Sequence, residues 1–171
     1  MIEKIRPVRL FIFDVDGVLT DGRIIYNDSG QETKFFDVRD GHGIKLLMRA
    51  GIEVGILSAR ESNVVKYRAD NLGIELVYLG RKDKLSAFEE ILKSKSITPK
   101  EIAYMGDDII DLPVIKRVGF SATVADGVDE VKAMADYVAA KKGGRGAVRE
   151  VAEVVLKAKG KWDEIMSHYL R

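Results

Sequence analysis

The run Phe13-Asp14-Val15-Asp16-Gly17 ends an apolar stretch with two carboxylates one residue apart. Parallel α/β sheets place their ligands at such strand ends. One carboxylate there can attack phosphorus or bind a cation, and a second beside it can move a proton. A further acidic group, Gly106-Asp107-Asp108 with Asp111 close behind, follows another apolar run, Ile102 to Met105. Three carboxylates in one short loop repel one another unless a cation or solvent relieves them. An oxygen-rich set of this kind suits Mg²⁺, a hard cation that keeps several waters. Asp108 or Asp111 taken singly also reads as a helix cap. A cap does not account for two acidic clusters at the ends of two different strands.

Two smaller signals lie between them. Ser58 follows Gly55-Ile56-Leu57, at another strand end and ahead of a helix expected to contain Arg60. Its hydroxyl and the nearby backbone N–H groups suit phosphate oxygens. Lys84 opens the next long helix, within Arg81-Lys82-Asp83-Lys84. Alone, a Ser is a common cap and a Lys a solvated charge. In the order Asp-x-Asp, Ser, Lys, Asp-Asp, each after a successive strand, they make a phosphoryl-transfer site: a carboxylate nucleophile, an acid/base partner, a cationic clamp and a metal platform.

The elements that must position these groups are legible from hydrophobic patterning. Val8 to Phe13, Glu53 to Leu57, Glu75 to Leu79, Ile102 to Met105 and Phe120 to Val124 read as strands, several apolar on both faces as buried parallel strands are. Helices are expected over Gly43–Ala50, Ser62–Leu72, Lys84–Ser94, Asp111–Val118, Val128–Ala135 and from Ala147 to about Lys157. Thr98-Pro99-Lys100-Glu101 has the residues of a capped helical start. The alternation predicts an α/β fold, a doubly wound parallel sheet with helices on both faces. Arg23–Tyr26 and Thr33–Asp37, separated by Asn27-Asp28-Ser29-Gly30, read as an inserted β-hairpin. The chain is expected to be one domain over 1–171, with a tail from about residue 159.

Composition narrows the function classes. Of 171 residues 32% are charged, but 28 Lys+Arg against 27 Asp+Glu leave a net charge of +1. This argues against nucleic acid or an anionic membrane as the main partner. There is no cysteine, so thiolate metal sites and cysteine nucleophiles are excluded. No run has the length or apolarity of a membrane span or signal peptide, and a cytoplasmic location is expected.

The four motifs in this order resemble the haloacid dehalogenase (HAD) superfamily of phosphatases. The resemblance implies Asp14 as nucleophile and Asp16 as general acid/base, with Ser58 and Lys84 holding the transferring phosphoryl group. It further implies Mg²⁺ on Asp14, the backbone carbonyl of Asp16 and Asp107. The Asp at position 16 speaks for a phosphatase rather than a dehalogenase. The hairpin is the only insertion between Asp16 and Ser58, so the fold is expected to lack a cap domain.

Phe13 to Gly22, Asp37 to Ile44, Gly106-Asp107-Asp108 and Gly143 to Glu150 together are similar to the capless family of 3-deoxy-D-manno-octulosonate 8-phosphate (Kdo 8-phosphate) phosphatases, over essentially the whole chain. That resemblance implies hydrolysis of a small sugar acid phosphate, in lipopolysaccharide precursor synthesis, by a homotetramer whose neighbouring subunits complete each site. Asp16, Asp37, Val38, Arg39, Asp40, Gly41, Lys45, Arg60, Arg68 and Lys84 would then bind substrate. Asp40 also reads as a helix cap, and His42 as packing. Arg60 and Arg68 are expected two helical turns apart near one face, and guanidinium suits a carboxylate by its paired donors. The related enzymes of KDN 9-phosphate have Glu and Lys at those two positions, which favours Kdo 8-phosphate. Hydrolysis of another sugar acid phosphate, such as KDN or N-acetylneuraminate 9-phosphate, and a noncatalytic assembly partner are the alternatives. A receiver domain would carry its acidic pair first, its phosphorylated Asp on a later strand and its Lys last.

Overall fold

A computed structural model describes residues 1–170. Six strands form one parallel sheet: β1 (Leu10–Phe13), β4 (Glu53–Leu57), β5 (Leu76–Tyr78), β6 (Ile102–Met105), β7 (Phe120–Thr123) and β8 (Tyr137–Val138). Their spatial order is β5-β4-β1-β6-β7-β8. The chain therefore winds outward from β1 to β5, returns to β1's other side at β6, and winds outward again. The reversal at β1 opens a crevice at the carboxyl ends of β4, β1 and β6, where ligands of such sheets bind.

Side-chain alternation fills both faces. On β1, Phe11 and Phe13 stack at 4.2 Å and join one core. Leu10 and Ile12 join the other. On β6, Ala103 and Met105 face the first core, Ile102 and Tyr104 the second. The first core is closed by α2 (Val38–Arg49), α3 (Asn63–Leu72) and α7 (Ala147–Ala158), the second by α4 (Lys84–Lys95), α5 (Leu112–Ile115) and α6 (Asp129–Lys132). Every one of the four β1 side chains is thus buried, which is why the strand reads as an unbroken apolar run.

The insertion after β1 is a two-stranded antiparallel ribbon, β2 (Ile25–Tyr26) and β3 (Glu32–Thr33), shorter than expected. Its turn is held by Asn27, whose side-chain oxygen accepts from the N–H groups of Ser29 and Gln31. A four-residue helix α1 (Ile2–Ile5) precedes β1, and α8 (Trp162–Tyr169) occupies the stretch expected as a tail.

Several boundaries differ from expectation. α2 begins at Val38, not Gly43, because Asp37 caps it: Asp37 Oδ1 accepts from the N–H groups of Arg39 and Asp40. Two glycines in the first turns masked this helix, since glycine lowers helix propensity. α3 starts only after its cap Ser62, so Arg60 lies in the loop before the helix. The expected pairing of Arg60 and Arg68 along one helical face is therefore corrected. In place of the helix expected over Asp111–Val118 stand a 3₁₀ turn (Ile109–Asp111) and the short α5, and β8 carried too short a pattern to be read.

Candidate active site

Strand register brings the acidic motifs together. Phe13 pairs with Ile56 on one side and Met105 on the other, so Asp14 stands level with Leu57 and Gly106. Ser58 and Asp107 follow one residue beyond those levels. Asp14 continues on the Leu10/Ile12 side, the side of α4, and there Lys84 meets it. Lys84 Nζ lies 2.9 Å from Asp14 Oδ1 and 2.6 Å from Asp111 Oδ1.

Asp14, Asp107 and Asp111 each bring a carboxylate oxygen within 4.8 Å of the others. Asp111, however, is already satisfied. Its Oδ1 accepts from Lys84 and from the Tyr104 hydroxyl at 2.5 Å, and its Oδ2 accepts from the N–H groups of Asp107 and Asp108 at 3.0 and 3.1 Å. It anchors the acidic loop and Lys84 rather than offering a free oxygen. Asp107 is the opposite case: its Oδ1 is buried with no hydrogen-bond partner. An orphaned buried carboxylate oxygen is costly unless a cation meets it.

Charge points the same way. Once ionised, the three carboxylates against one ammonium would leave two negative charges for a divalent cation to balance. Burial pushes the Asp14 carboxyl up to about 7, with Lys84 opposing and Asp111 adding to the rise. Burial and the charges of Asp14 and Asp111 push Asp107 up to about 8. Burial alone would lower Lys84, but its two carboxylate neighbours raise it, so it stays charged. Burial, then the Asp111 and Asp14 charges, drive the Tyr104 phenol well above its ordinary range, keeping it a proton donor to Asp111.

The turn after β1 is shaped around these groups. Gly17 has φ +93°, and a Cβ there would come within 2.1 Å of Asp107 Oδ2. The Gly143-Gly144 loop packs on the same turn, with the Gly144 N–H donating to the Val18 carbonyl, and a Cβ on Gly143 would strike the Gly17 oxygen at 1.7 Å. Arg145, in the same loop, pairs with Asp21 at 3.3 Å.

Asp16 faces a second cluster that the sequence reading missed. Lys34, just after β3, lies 2.5 Å from Asp16 Oδ1 and 3.2 Å from Glu32. Glu32 also accepts from Arg60 Nη2 at 2.8 Å and the Ser62 hydroxyl at 2.5 Å. Burial works against the Glu32 charge, but the hydrogen bonds of Ser62 and Lys34 outweigh it and hold the group below its ordinary value. Arg60 Nη1 lies 3.8 Å from Asp16 Oδ2, buried and without a hydrogen-bond partner. No feature of the sequence marks Lys34: just after β3 it is 8% exposed and Phe35 62%, the reverse of the usual order.

The remaining candidates fall into place around α2. Asp37 caps it, and Val38 and Arg39 are exposed in its first turn. Gly41 leaves room for Arg68, whose Nη2 reaches the Asp37 carbonyl at 3.5 Å while its guanidinium lies 5.5 Å over Phe36. Asp40 is buried, and both its oxygens accept from the N-terminal N–H groups of α7, Gly146 at 3.1 Å and Arg149 at 2.8 Å. It is therefore a cap, for the neighbouring helix rather than its own. Ser58 is buried, its hydroxyl accepting from the Arg60 N–H at 3.3 Å. Lys45 is half-buried one helical turn beyond Gly41. His42 packs edge-on against Tyr169 of α8 at 5.9 Å, as packing would have it.

Comparison with known proteins agrees with this arrangement. A family model for haloacid dehalogenase-like hydrolases matches residues 77–151. Over 164 residues the chain is 47% identical to the 3-deoxy-D-manno-octulosonate 8-phosphate phosphatase KdsC of Escherichia coli, covering 96% of this chain and 87% of that protein. The crystal structure of the Moraxella catarrhalis 3-deoxy-D-manno-octulosonate 8-phosphate phosphatase, in complex with magnesium, phosphate and KDO, superposes with a TM-score of 0.96. It is 42% identical, covering 98% of this chain and 97% of that one. The cobalt-bound deoxy-D-mannose-octulosonate 8-phosphate phosphatase (YrbI) from Haemophilus influenzae superposes with a TM-score of 0.89, with 44% identity and 92% of each chain covered. With identity of this extent spread over nearly the full length, the chain belongs to the 3-deoxy-D-manno-octulosonate 8-phosphate phosphatase family of the HAD superfamily.

Proposed function

We propose that this chain hydrolyses Kdo 8-phosphate to Kdo and phosphate with Mg²⁺, through a phosphoenzyme on Asp14. The observation that carries the reading is the convergence at the sheet's reversal point of Asp14, the buried Lys84 paired with it, and the unpartnered Asp107 oxygen. The carboxylates of Asp14 and Asp107 and the backbone carbonyl of Asp16 would hold Mg²⁺, which neutralises charge on the transferring phosphoryl group when bound.

The chain's own residues do the rest. Lys84 offsets the Asp14 charge that would repel an anionic phosphate, and with Ser58 it binds the phosphoryl oxygens. An Asp14 oxygen attacks phosphorus in line, and the bond to the sugar oxygen breaks as Asp16 delivers its proton there. Asp16 then takes a proton from the water whose oxygen attacks the aspartyl phosphate. The Asp14–phosphorus bond breaks and phosphate leaves. Val38, Arg39, Lys45, Arg60 and Arg68, on the backbone that Asp37, Asp40 and Gly41 shape, would receive the sugar acid, with paired guanidinium donors for its carboxylate.

The open site calls for a cover. Ile24, Tyr26, Phe35 and Val38, on and beside the hairpin, are 56%, 57%, 62% and 80% exposed. An apolar group of this kind marks a protein interface, and we assign it to a homotetramer that works in the cytoplasm. No described helix is long and apolar enough to cross a membrane. Sedimentation of wild type against Phe35→Glu tests the assembly: a tetramer that falls to smaller species supports it, and a monomeric wild type overturns it.

The activity is tested by phosphate release with Mg²⁺ from Kdo 8-phosphate, KDN 9-phosphate, N-acetylneuraminate 9-phosphate and hexose phosphates. Strong preference for Kdo 8-phosphate, abolished in Asp14→Asn, is expected. Preference for another sugar phosphate would keep the mechanism and discard the substrate. Absence of metal-dependent release from all of them would overturn the reading.

A further inference from the structure

We propose that Lys34, carried by the hairpin, is a positioning residue for proton transfer: it tethers one oxygen of Asp16 and leaves the other to carry the proton. The inference rests on the reading of Asp16 as the acid/base. The tether is Lys34 Nζ at 2.5 Å from Asp16 Oδ1, on a side chain only 1% exposed. Burying an ammonium is unfavourable unless it is paired, and this one is paired twice, with Asp16 and with Glu32 at 3.2 Å. Glu32 is itself fixed by the Ser62 hydroxyl and by Arg60. Lys34 therefore approaches Asp16 from a braced position.

The free oxygen is Oδ2. Its nearest cation, Arg60 Nη1, stands at 3.8 Å, beyond hydrogen-bond reach. With Oδ1 occupied, rotation of the carboxyl group is restricted, and Oδ2 is the oxygen presented to a leaving group or a water. Proton transfer needs hydrogen-bond distances, so a carboxyl left to swing loses part of its acid/base advantage. The hairpin thereby takes part in the chemistry of its own chain, besides offering its outer face to other subunits. A purely structural role, neutralising Glu32, would use the same ion pair but would not depend on Asp16.

The two roles separate by leaving group. Expulsion of a sugar alkoxide needs a proton, whereas nitrophenolate leaves without one. The ratio kcat/KM reports the steps through phosphoenzyme formation for both Kdo 8-phosphate and p-nitrophenyl phosphate. Purified wild type, Lys34→Met, Asp16→Asn and the double variant would be compared with Mg²⁺ present. Lys34→Met is expected to lose about 100-fold more on Kdo 8-phosphate than on p-nitrophenyl phosphate, within the range of general acid catalysis. In the Asp16→Asn background the same substitution should change that ratio by less than about threefold, since coupled residues are not additive. Where Lys34→Met does not fold, Lys34→Gln reads the same ratio. Equal losses on both substrates, or a ratio that shifts as much without Asp16, would overturn the proposal and leave the phosphatase reading standing. A wild type inactive on both substrates would overturn that reading and this inference with it.

Discussion

Lys84 and Asp14 form an ion pair of 2.9 Å in which the side chains are 0% and 7% exposed. Lys84 is shared with Asp111, which is fully buried and also holds the Tyr104 hydroxyl. The pair is thus one edge of a buried polar network in which each member is fixed by another. Such a network holds the attacking carboxylate in place before substrate arrives.

Removing the cation should therefore damage both stability and chemistry. Lys84→Met leaves two buried carboxylates unpaired and is expected to cost about 3–5 kcal/mol in urea unfolding. Activity should fall by about 1,000-fold or more, as for loss of an electrostatic clamp. Combining it with Asp111→Asn should restore part of the stability and none of the activity. Additive destabilisation would show that the network is not coupled.

The raised carboxylates predict an opposition between metal-free stability and metal binding. Asp14 and Asp107 titrate near 7 and 8 in the folded chain, against 3.8 ordinarily. Between about pH 4 and 8 the folded state therefore binds more protons than the unfolded state, and stability of the metal-free protein falls as pH rises. Mg²⁺ needs the ionised forms, so its binding releases protons and strengthens with pH. The Mg²⁺-induced rise in Tm should be clearly larger at pH 8 than at pH 6. A rise independent of pH would contradict these two groups as the ligands.

Gly17 offers a test of the metal site that touches no ligand. Gly17→Ala puts a methyl where Asp107 Oδ2 stands, on a backbone at φ +93°. The substitution is expected to displace Asp107, costing about 1–3 kcal/mol of stability from the strained backbone. Mg²⁺ affinity measured by calorimetry should fall by about tenfold or more, the scale of disturbing a ligand's surroundings. Unchanged affinity would separate Asp107 from the metal.

Asp40 is predicted to matter through α7. Asp40→Ala removes two hydrogen bonds to a carboxylate and leaves the buried N–H groups at the start of α7 without their acceptor, costing about 3 kcal/mol or more. Thermal unfolding should report it, and hydrogen exchange should localise the loss to Gly146 and Arg149. Protection unchanged at those amides would refute the cap.

Much of this site could be read from the chain alone. Asp14, Asp107 and Lys84 belong to local units, a strand end or a helix start, and their order along a parallel sheet is enough to bring them to one crevice. β1, β6 and β4 beyond its exposed Glu53 were readable because burial on both faces leaves no charged residue in them. The fold class follows from that alternation. What the sequence could not settle was which partner each charge takes. Asp40 has the look of a cap for its own helix, yet caps one more than 100 residues away. Arg60 looked like a helix residue, but Ser62 starts the helix, and Glu32 on the hairpin claims the guanidinium. Lys34 stood as one more lysine in a β-prone run. Its burial beside Asp16 exists only once the hairpin folds back over the strand end. Local patterning reports burial and helix phase, which depend on near neighbours. Ion pairs between distant segments depend on how those segments meet, and that is decided by the packing of the whole chain.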